Sequence, residues 1–450
     1  MHAQSPVPRG IRRRNAPVVT KDLTLHGNGA AGAAWCLAWT LLLLAVLLGA
    51  SAARALPGPP GAALAGGLRV ATTLGLPHQP ARVQLAASFP LPFTGTHYIY
   101  VEDGSCPVKV DVFQVTRTSA VLLQTFTAAN ACQYGALGYG ENEFAYATVG
   151  ASRCLVVTST SPPLGQPEGP GSVLSYQIAA GTGTISQQVS KIRDPLGGGP
   201  YAVTLSPTHR YAIVTTDDNY EYAHHARNGI SAYVLGAGCT LTRASTAAGP
   251  TSPYSGPFVS SAITSNGEVV TVAPGTSSGE HPPGALDFFS FNQATGALVY
   301  QTAKWSQISG PYGIVADGAL IFTGQWGGNR VQAGTVAANG SISFVPGSPA
   351  IDPTGGSGVV AWFDKTHKNF VAVEAGLGFF HAAPFAFSQQ VTLTTGASPE
   401  TFAQSGRVLF VAEYATQAIE ACPLTRTGSS GCTVIAHLPS NGEPQGLAIS

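Results

Sequence analysis

The 450 residues carry 22 basic and 22 acidic side chains, so the net charge is zero, and charged residues make up only 10% of the chain. The repeat region has no basic stripe, which argues against nucleic acid as a partner. Gly 54 and Pro 33 cut the sequence into short segments, and no sustained i, i+3, i+4 apolar pattern occurs beyond the N-terminal region.

Residues 1–55 read as a targeting helix. Arg9, Arg12, Arg13, Arg14 and Lys21 precede an uncharged stretch from Gly27 to Ala53 with the apolar centre WTLLLLAVLLGA. Small residues at Ala50-Ser51-Ala52 or Ala53-Arg54-Ala55 offer a cleavage site, as in a signal peptide. The apolar length also approaches that of an uncleaved signal anchor, with its positive flank in the cytosol. The rest of the chain is therefore expected outside the cytosol, either secreted or held as a type II membrane-anchored protein. Only this segment would meet the membrane. Residues 56–90, rich in Pro, Gly and Ala, are expected as a linker that ends in an outer strand near Arg82 to Ala87.

From residue 91 to 450 one pattern recurs seven times. Its second runs are HYIYVED from His97, RCLVVTST from Arg153, RYAIVTTDD from Arg210, EVVTVAPG from Glu268, ALIFTGQW from Ala319, NFVAVEAG from Asn369 and RVLFVAEY from Arg407. They start roughly 40 to 58 residues apart, enough for four strands and their turns. Six are preceded by a first run: FAYATVG, YAVTLSP, FVSSAITS, YGIVADG, GVVAWFD and ETFAQSG. The seventh first run, GLAIS, ends the chain, and the first second run has no such partner upstream. A ring explains both orphans. The expected fold is an all-β, seven-bladed β-propeller closed by its C-terminal strand, which leaves few edges exposed.

Cys36 lies in the apolar segment, leaving Cys106, Cys132, Cys154, Cys239, Cys422 and Cys432. An even set in an exported chain suggests disulfides. Cys422 and Cys432 flank a turn between the last two strands of blade 7 and suit cross-strand pairing. Cys106 with Cys132 inside blade 1 would leave Cys154 and Cys239. No CxxC spacing supports a metal cluster. Asn339-Gly340-Ser341 is a glycosylation sequon on a tight turn.

In a propeller the loops after second strands and before first strands meet at one mouth of the central funnel. Here they carry Glu102, Asp103, Asp217, Glu221, His224, His225, Glu280, His281, Trp326, Arg330, Glu374, Glu413 and Tyr414, a concentration of ionisable groups in a chain with few charges. The carboxylates and imidazoles of Asp217, Glu221, His224, His225, Glu374 and Glu413 could activate a water for ester or lactone hydrolysis. Arg330 or a histidine could hold the developing oxyanion. The same groups could instead be exposed loop polarity, and Glu102, Glu374 and Glu413 could cap the funnel by holding backbone amides. No cofactor is expected. Carboxylates with Asn219 or Asn329 would suit calcium or magnesium, but no DxDxDG pattern occurs.

The run Gly199-Pro200-Tyr201-Ala202-Val203-Thr204-Leu205-Ser206-Pro207 followed by Arg210-Tyr211-Ala212-Ile213-Val214 resembles the repeat of the seven-bladed lactonase propellers. These are the cycloisomerase-type 6-phosphogluconolactonases and carboxymuconate-lactonizing enzymes, of the YVTN type. Ser309 to Val315 and Gly442 to Ser450 repeat it, and Gly328-Asn329-Arg330-Val331 is similar to that family's polar turn. The resemblance implies the fold from about Phe93 onward, and a lactonase or lactonizing activity. It also implies a funnel-facing His just after the Gly-Pro or His-Pro of an inner strand, yet here the corresponding positions hold Tyr201, Phe258, Tyr312 and, in blade 6, Val359. A site of Asp, Glu and loop His would have to replace it. Glu102 and His281 would join Tyr201, Phe258, Tyr312 and Trp326 in binding substrate, the aromatic rings by stacking on a sugar or phenolic ring.

Two functions follow. As an enzyme, the protein would hydrolyse or form a lactone of a sugar acid or aromatic-derived acid. As a non-catalytic module, it would be a monomeric extracellular propeller holding a small-molecule ligand or another protein.

Overall fold

The computed structural model describes residues 82–84, 91–92, 94–132, 144–160, 170–217, 228–249, 258–273, 283–325, 328–354, 358–366, 369–373, 376–395, 399–413, 415–439 and 444–450. The targeting segment and most of the linker lie outside this set. All described sheets belong to the compact unit Leu76–Ser450. Apart from one short 3-10 turn at Ala237–Cys239, the regular structure is all β.

Seven antiparallel sheets follow one another along the chain. Blade 1 runs outward from Pro444–Ile449 through His97–Asp103 and Val108–Val115 to Ser119–Ala128, with Arg82–Gln84 added on its outer edge. Blade 2 runs Phe144–Val149, Ser152–Ser159, Ser172–Ile178, Ile185–Arg193, and blade 3 runs Gly199–Leu205, Tyr211–Asp217, Gly229–Leu235, Leu241–Ala248. Blade 4 comprises Ser260–Ile263, Glu268–Ala273, Pro283–Phe291 and Leu298–Ser309. Blade 5 comprises Pro311–Asp317, Leu320–Gln325, Arg330–Val336 and Ile342–Phe344, with Ala350–Ile351 also on the third strand. Blade 6 is Val359–Asp364, Asn369–Val373, Leu377–Ala382 and Phe385–Val391, and blade 7 is Pro399–Ser405, Val408–Glu413, Ala418–Pro423 and Thr433–His437. Each anticipated first run is an inner strand, and each second run is the strand beside it.

Blade 1 combines strands from the beginning and the end of the repeat region. Its inner strand comes from the end of the chain and pairs with the strand that opens it, from Ile99 opposite Ile449 to Asp103 opposite Pro444. That inner strand touches the inner strands of both blade 7 and blade 2.

The core is divided among the gaps between blades because strand side chains alternate between two faces. In the second strand of blade 1, Ile99 and Val101 pack with Val408 and Phe410 of blade 7. Their neighbours Tyr98 and Tyr100 pack with Leu155 and Val157 of blade 2. The alternation recurs in blade 6, where Phe370 faces Phe322 of blade 5 and Val371 faces Leu409 of blade 7. Both faces of every sheet are thus covered, which is why these strands read as continuous apolar runs.

All three disulfides form: Cys106–Cys132, Cys154–Cys239 and Cys422–Cys432. The second joins the second strand of blade 2 to the turn between the last two strands of blade 3. Asn339 is exposed in the turn between the last two strands of blade 5. There Ser341 Oγ donates to its Oδ1 at 2.7 Å.

Candidate functional site at the funnel mouth

Because the strands of each blade alternate in direction, second strands end and inner strands begin at the same end of the ring. This end is the mouth. Glu102 and Asp103 close the second strand of blade 1 and are 0% and 5% exposed. Glu413 closes the second strand of blade 7, and Glu420 lies on the third strand opposite Val411; both are 0% exposed. Asp217 ends the second strand of blade 3 opposite Gly199. Arg330 opens the third strand of blade 5 opposite Ile351, and it is exposed. Glu221, His224, His225, His281, Trp326 and Glu374 lie outside the described residues.

Three of the connections that lead into inner strands are held by buried carboxylates. Ahead of blade 3, Asp194 accepts from the Gly198 amide at 2.9 Å and from Thr216 Oγ1 at 3.2 Å. Ahead of blade 6, Asp352 accepts from the Thr354 amide at 2.9 Å and from Thr354 Oγ1 at 2.8 Å. Ahead of blade 7, Glu420 accepts from the amides of Thr394 and Thr395, each at 2.9 Å. Glu413 accepts from Thr416 Oγ1 at 2.5 Å and from Thr395 Oγ1.

Removing a carboxylate from water penalises its charged form. Burial therefore raises Asp194 and Asp352 to about 6, with their hydrogen bonds pulling the other way. Burial raises Glu413 to about 7, the neighbouring Glu420 charge adding to the rise and the two threonines opposing it. A carboxyl near 7 can both give and take a proton at neutral pH. Glu413, a candidate named from the sequence, has that property. Asp194, Asp352 and Glu420 were not singled out, although the first two share the repeat Asp-Pro-x-Gly-Gly at Asp194 to Gly198 and Asp352 to Gly356.

The aromatic positions are packed inside the ring. Tyr201, Phe258 and Tyr312 are 4%, 0% and 1% exposed. Phe258 meets Phe289 edge-on at 6.0 Å between ring centres. The hydroxyls of Tyr201 and Tyr312 lie 2.7 Å apart. Their strands belong to blades 3 and 5, so the pair spans the axial side of blade 4. Among the described residues, no group of three or more His, Cys, Asp or Glu side chains is arranged to hold a metal ion.

A cavity of about 500 Å³ lies along the axis, lined by the later halves of inner strands from blades 1, 3, 4, 5 and 6, by Phe144 and Ala145 at the start of the blade 2 inner strand, and by Pro207 and Lys365 in turns beyond the strands. Most of its lining lies in the half of the channel away from the mouth, although Phe144 reaches Gly446, the residue opposite Glu102.

No protein-family profile and no curated protein matches the chain. Among solved structures, the chain is similar to a candidate 6-phosphogluconolactonase of Bacteroides fragilis, with a TM-score of 0.58 and 15% identity over 79% of this chain and 98% of that one. It is similar to the periplasmic gluconolactonase of Pseudomonas aeruginosa, with a TM-score of 0.57 and 16% identity over 79% of this chain and 99% of that one. A protein of Lactobacillus plantarum matches with a TM-score of 0.57 and 13% identity, over 79% and 100% of the two chains. At these identities the likeness is one of fold, that of a seven-bladed propeller.

Proposed function

We propose that the protein is exported and that its ring hydrolyses or forms a lactone of a sugar acid or aromatic-derived acid at the mouth. The observation that carries this reading is Glu413, a carboxyl near 7 at the end of the ring where the carboxylates gather. In hydrolysis, a mouth carboxylate takes a proton from water as its oxygen bonds to the ring carbonyl. The oxyanion collapses, the ring C–O bond breaks, and the leaving alkoxide takes a proton back. Asp217, Glu221, His224, His225, Glu374 and Glu413 are the candidate proton carriers, and Arg330 the oxyanion donor. Glu102, His281 and Trp326 would bind substrate, and no cofactor is required. Export is supported by the three disulfides, which persist in oxidising compartments. The exposed sequon at Asn339 would then carry a glycan.

A second reading, a non-catalytic propeller that binds a ligand or an extracellular protein, is favoured by the structural work that three buried carboxylates already do. Asp194, Asp352 and Glu420 hold turn amides, and Tyr201 and Tyr312 satisfy each other. The two readings separate in an assay of the secreted ring against aldonolactones and aromatic-acid lactones, beside Asp217→Asn and Glu413→Gln. Turnover that falls at least tenfold in one variant supports catalysis. No turnover of any lactone by the folded ring leaves the binding reading. N-terminal sequencing of the secreted protein tests cleavage near residue 55.

A further inference from the structure

The end of the ring opposite the mouth has the reverse electrostatic character. Arg117, Arg153, Arg210, Lys365, Arg407 and Arg426 all lie in or beside turns at this end, spread over blades 1, 2, 3, 6 and 7. Five of the six are exposed, Arg153 being half-buried, and among the described residues none of them makes an ion pair. The acids at this end are the half-buried Asp317 and Asp364 and the buried Glu268. A chain with so few charges has thus placed a crescent of cations on one face.

The axial cavity adjoins that face. Its wall includes Val203, Leu205, Ile263 and Ile314, and Lys365 is its one charged lining residue among those described. Two polar side chains of the wall are already used, Thr204 Oγ1 lying 2.8 Å from both the hydroxyl and the carbonyl oxygen of Ser261, while the buried Trp362 Nε1 has no hydrogen-bond partner. The interior therefore offers apolar contact, and the rim offers positive charge. At about 500 Å³ the space falls within the roughly 300–1,000 Å³ of small-molecule sites.

We propose that this end of the channel binds a small organic acid with an apolar body, the carboxylate at Lys365 and the body against the aliphatic wall. The surrounding arginines raise the local concentration of anions and speed their arrival. This site is separate from the mouth chemistry and does not depend on it.

Calorimetric titration of the intact protein with octanoate, octan-1-ol and gluconate tests the proposal. Octanoate is expected to bind one to one and about fivefold tighter than octan-1-ol, the increment that a single partly solvated ion pair supports. Gluconate, which has the charge without the apolar body, is expected not to displace octanoate, whatever it does at the mouth. Lys365→Gln, in an exposed turn, should erase the advantage of octanoate while leaving octan-1-ol and any lactone turnover unchanged. The proposal is overturned if octanoate fails to bind, if octan-1-ol binds as tightly, or if Lys365→Gln leaves octanoate affinity intact.

Discussion

Asp352 illustrates how a buried carboxylate is tolerated in this ring. It is 0% exposed, and its Oδ1 holds the amide and hydroxyl of Thr354. The backbone of Gly378 passes so close that an added Cβ would lie 2.6 Å from both carboxylate oxygens. Gly378→Ala should therefore destabilise the protein by about 1–3 kcal/mol through overpacking. In an Asp352→Ala background the same substitution should cost much less, and urea denaturation of the four proteins measures the coupling. A pH dependence follows from the same residues. Asp194 and Asp352 titrate at about 6, and Asp287 and Glu413 at about 7, burial being the leading cause in each. In the unfolded chain such groups titrate near about 4. Between these limits the folded state binds more protons, so their contribution is fully present below about 4 and is lost as pH rises through 6 to 7. Thermal unfolding should accordingly occur at a higher temperature at pH 5 than at pH 8, and Asp287→Asn should flatten that slope.

Among the elements, the blades were legible because the inner and second strands are covered on both faces and bounded by turn residues. YAVTLSP became the inner strand Gly199–Leu205, and RVLFVAEY became Val408–Glu413. The turns leading into the inner strands were less legible. That Asp194 and Asp352 hold them depends on the chain folding back to present amides to those carboxylates, which a repeat of Asp-Pro-x-Gly-Gly hints at but does not establish. The disulfides differ in the elements they constrain. Cys154–Cys239 ties two blades across 85 residues, whereas Cys422–Cys432 closes one hairpin across 10. Chain entropy alone makes the longer loop worth about 2 kcal/mol more. Replacing Cys154 and Cys239 by Ala should thus lower the guanidinium midpoint more than replacing Cys422 and Cys432.

For the whole molecule, stability depends on the ring being complete. The inner strand of blade 1 touches the inner strands of blades 7 and 2, and Leu447 packs with Ile99, Phe113 and Phe410 in the layer between blades 7 and 1. Leu447→Asp would place an unpaired charge in that layer and should cost several kcal/mol. Its effect should appear in the unfolding of the whole ring rather than of blade 1 alone, since the disrupted layer joins blade 1 to blade 7.

By itself the sequence determined the number of blades, which runs would be inner and second strands, and the pairing of its two orphan segments. Those features rest on alternating apolar residues and turn chemistry, which are local and survive in a linear reading. Only the tertiary structure decided which carboxylates hold turns, that Tyr201 and Tyr312 meet each other, and where the axial cavity opens. These depend on side chains from blades far apart in the chain arriving at one axis, and no local pattern encodes the distance between them.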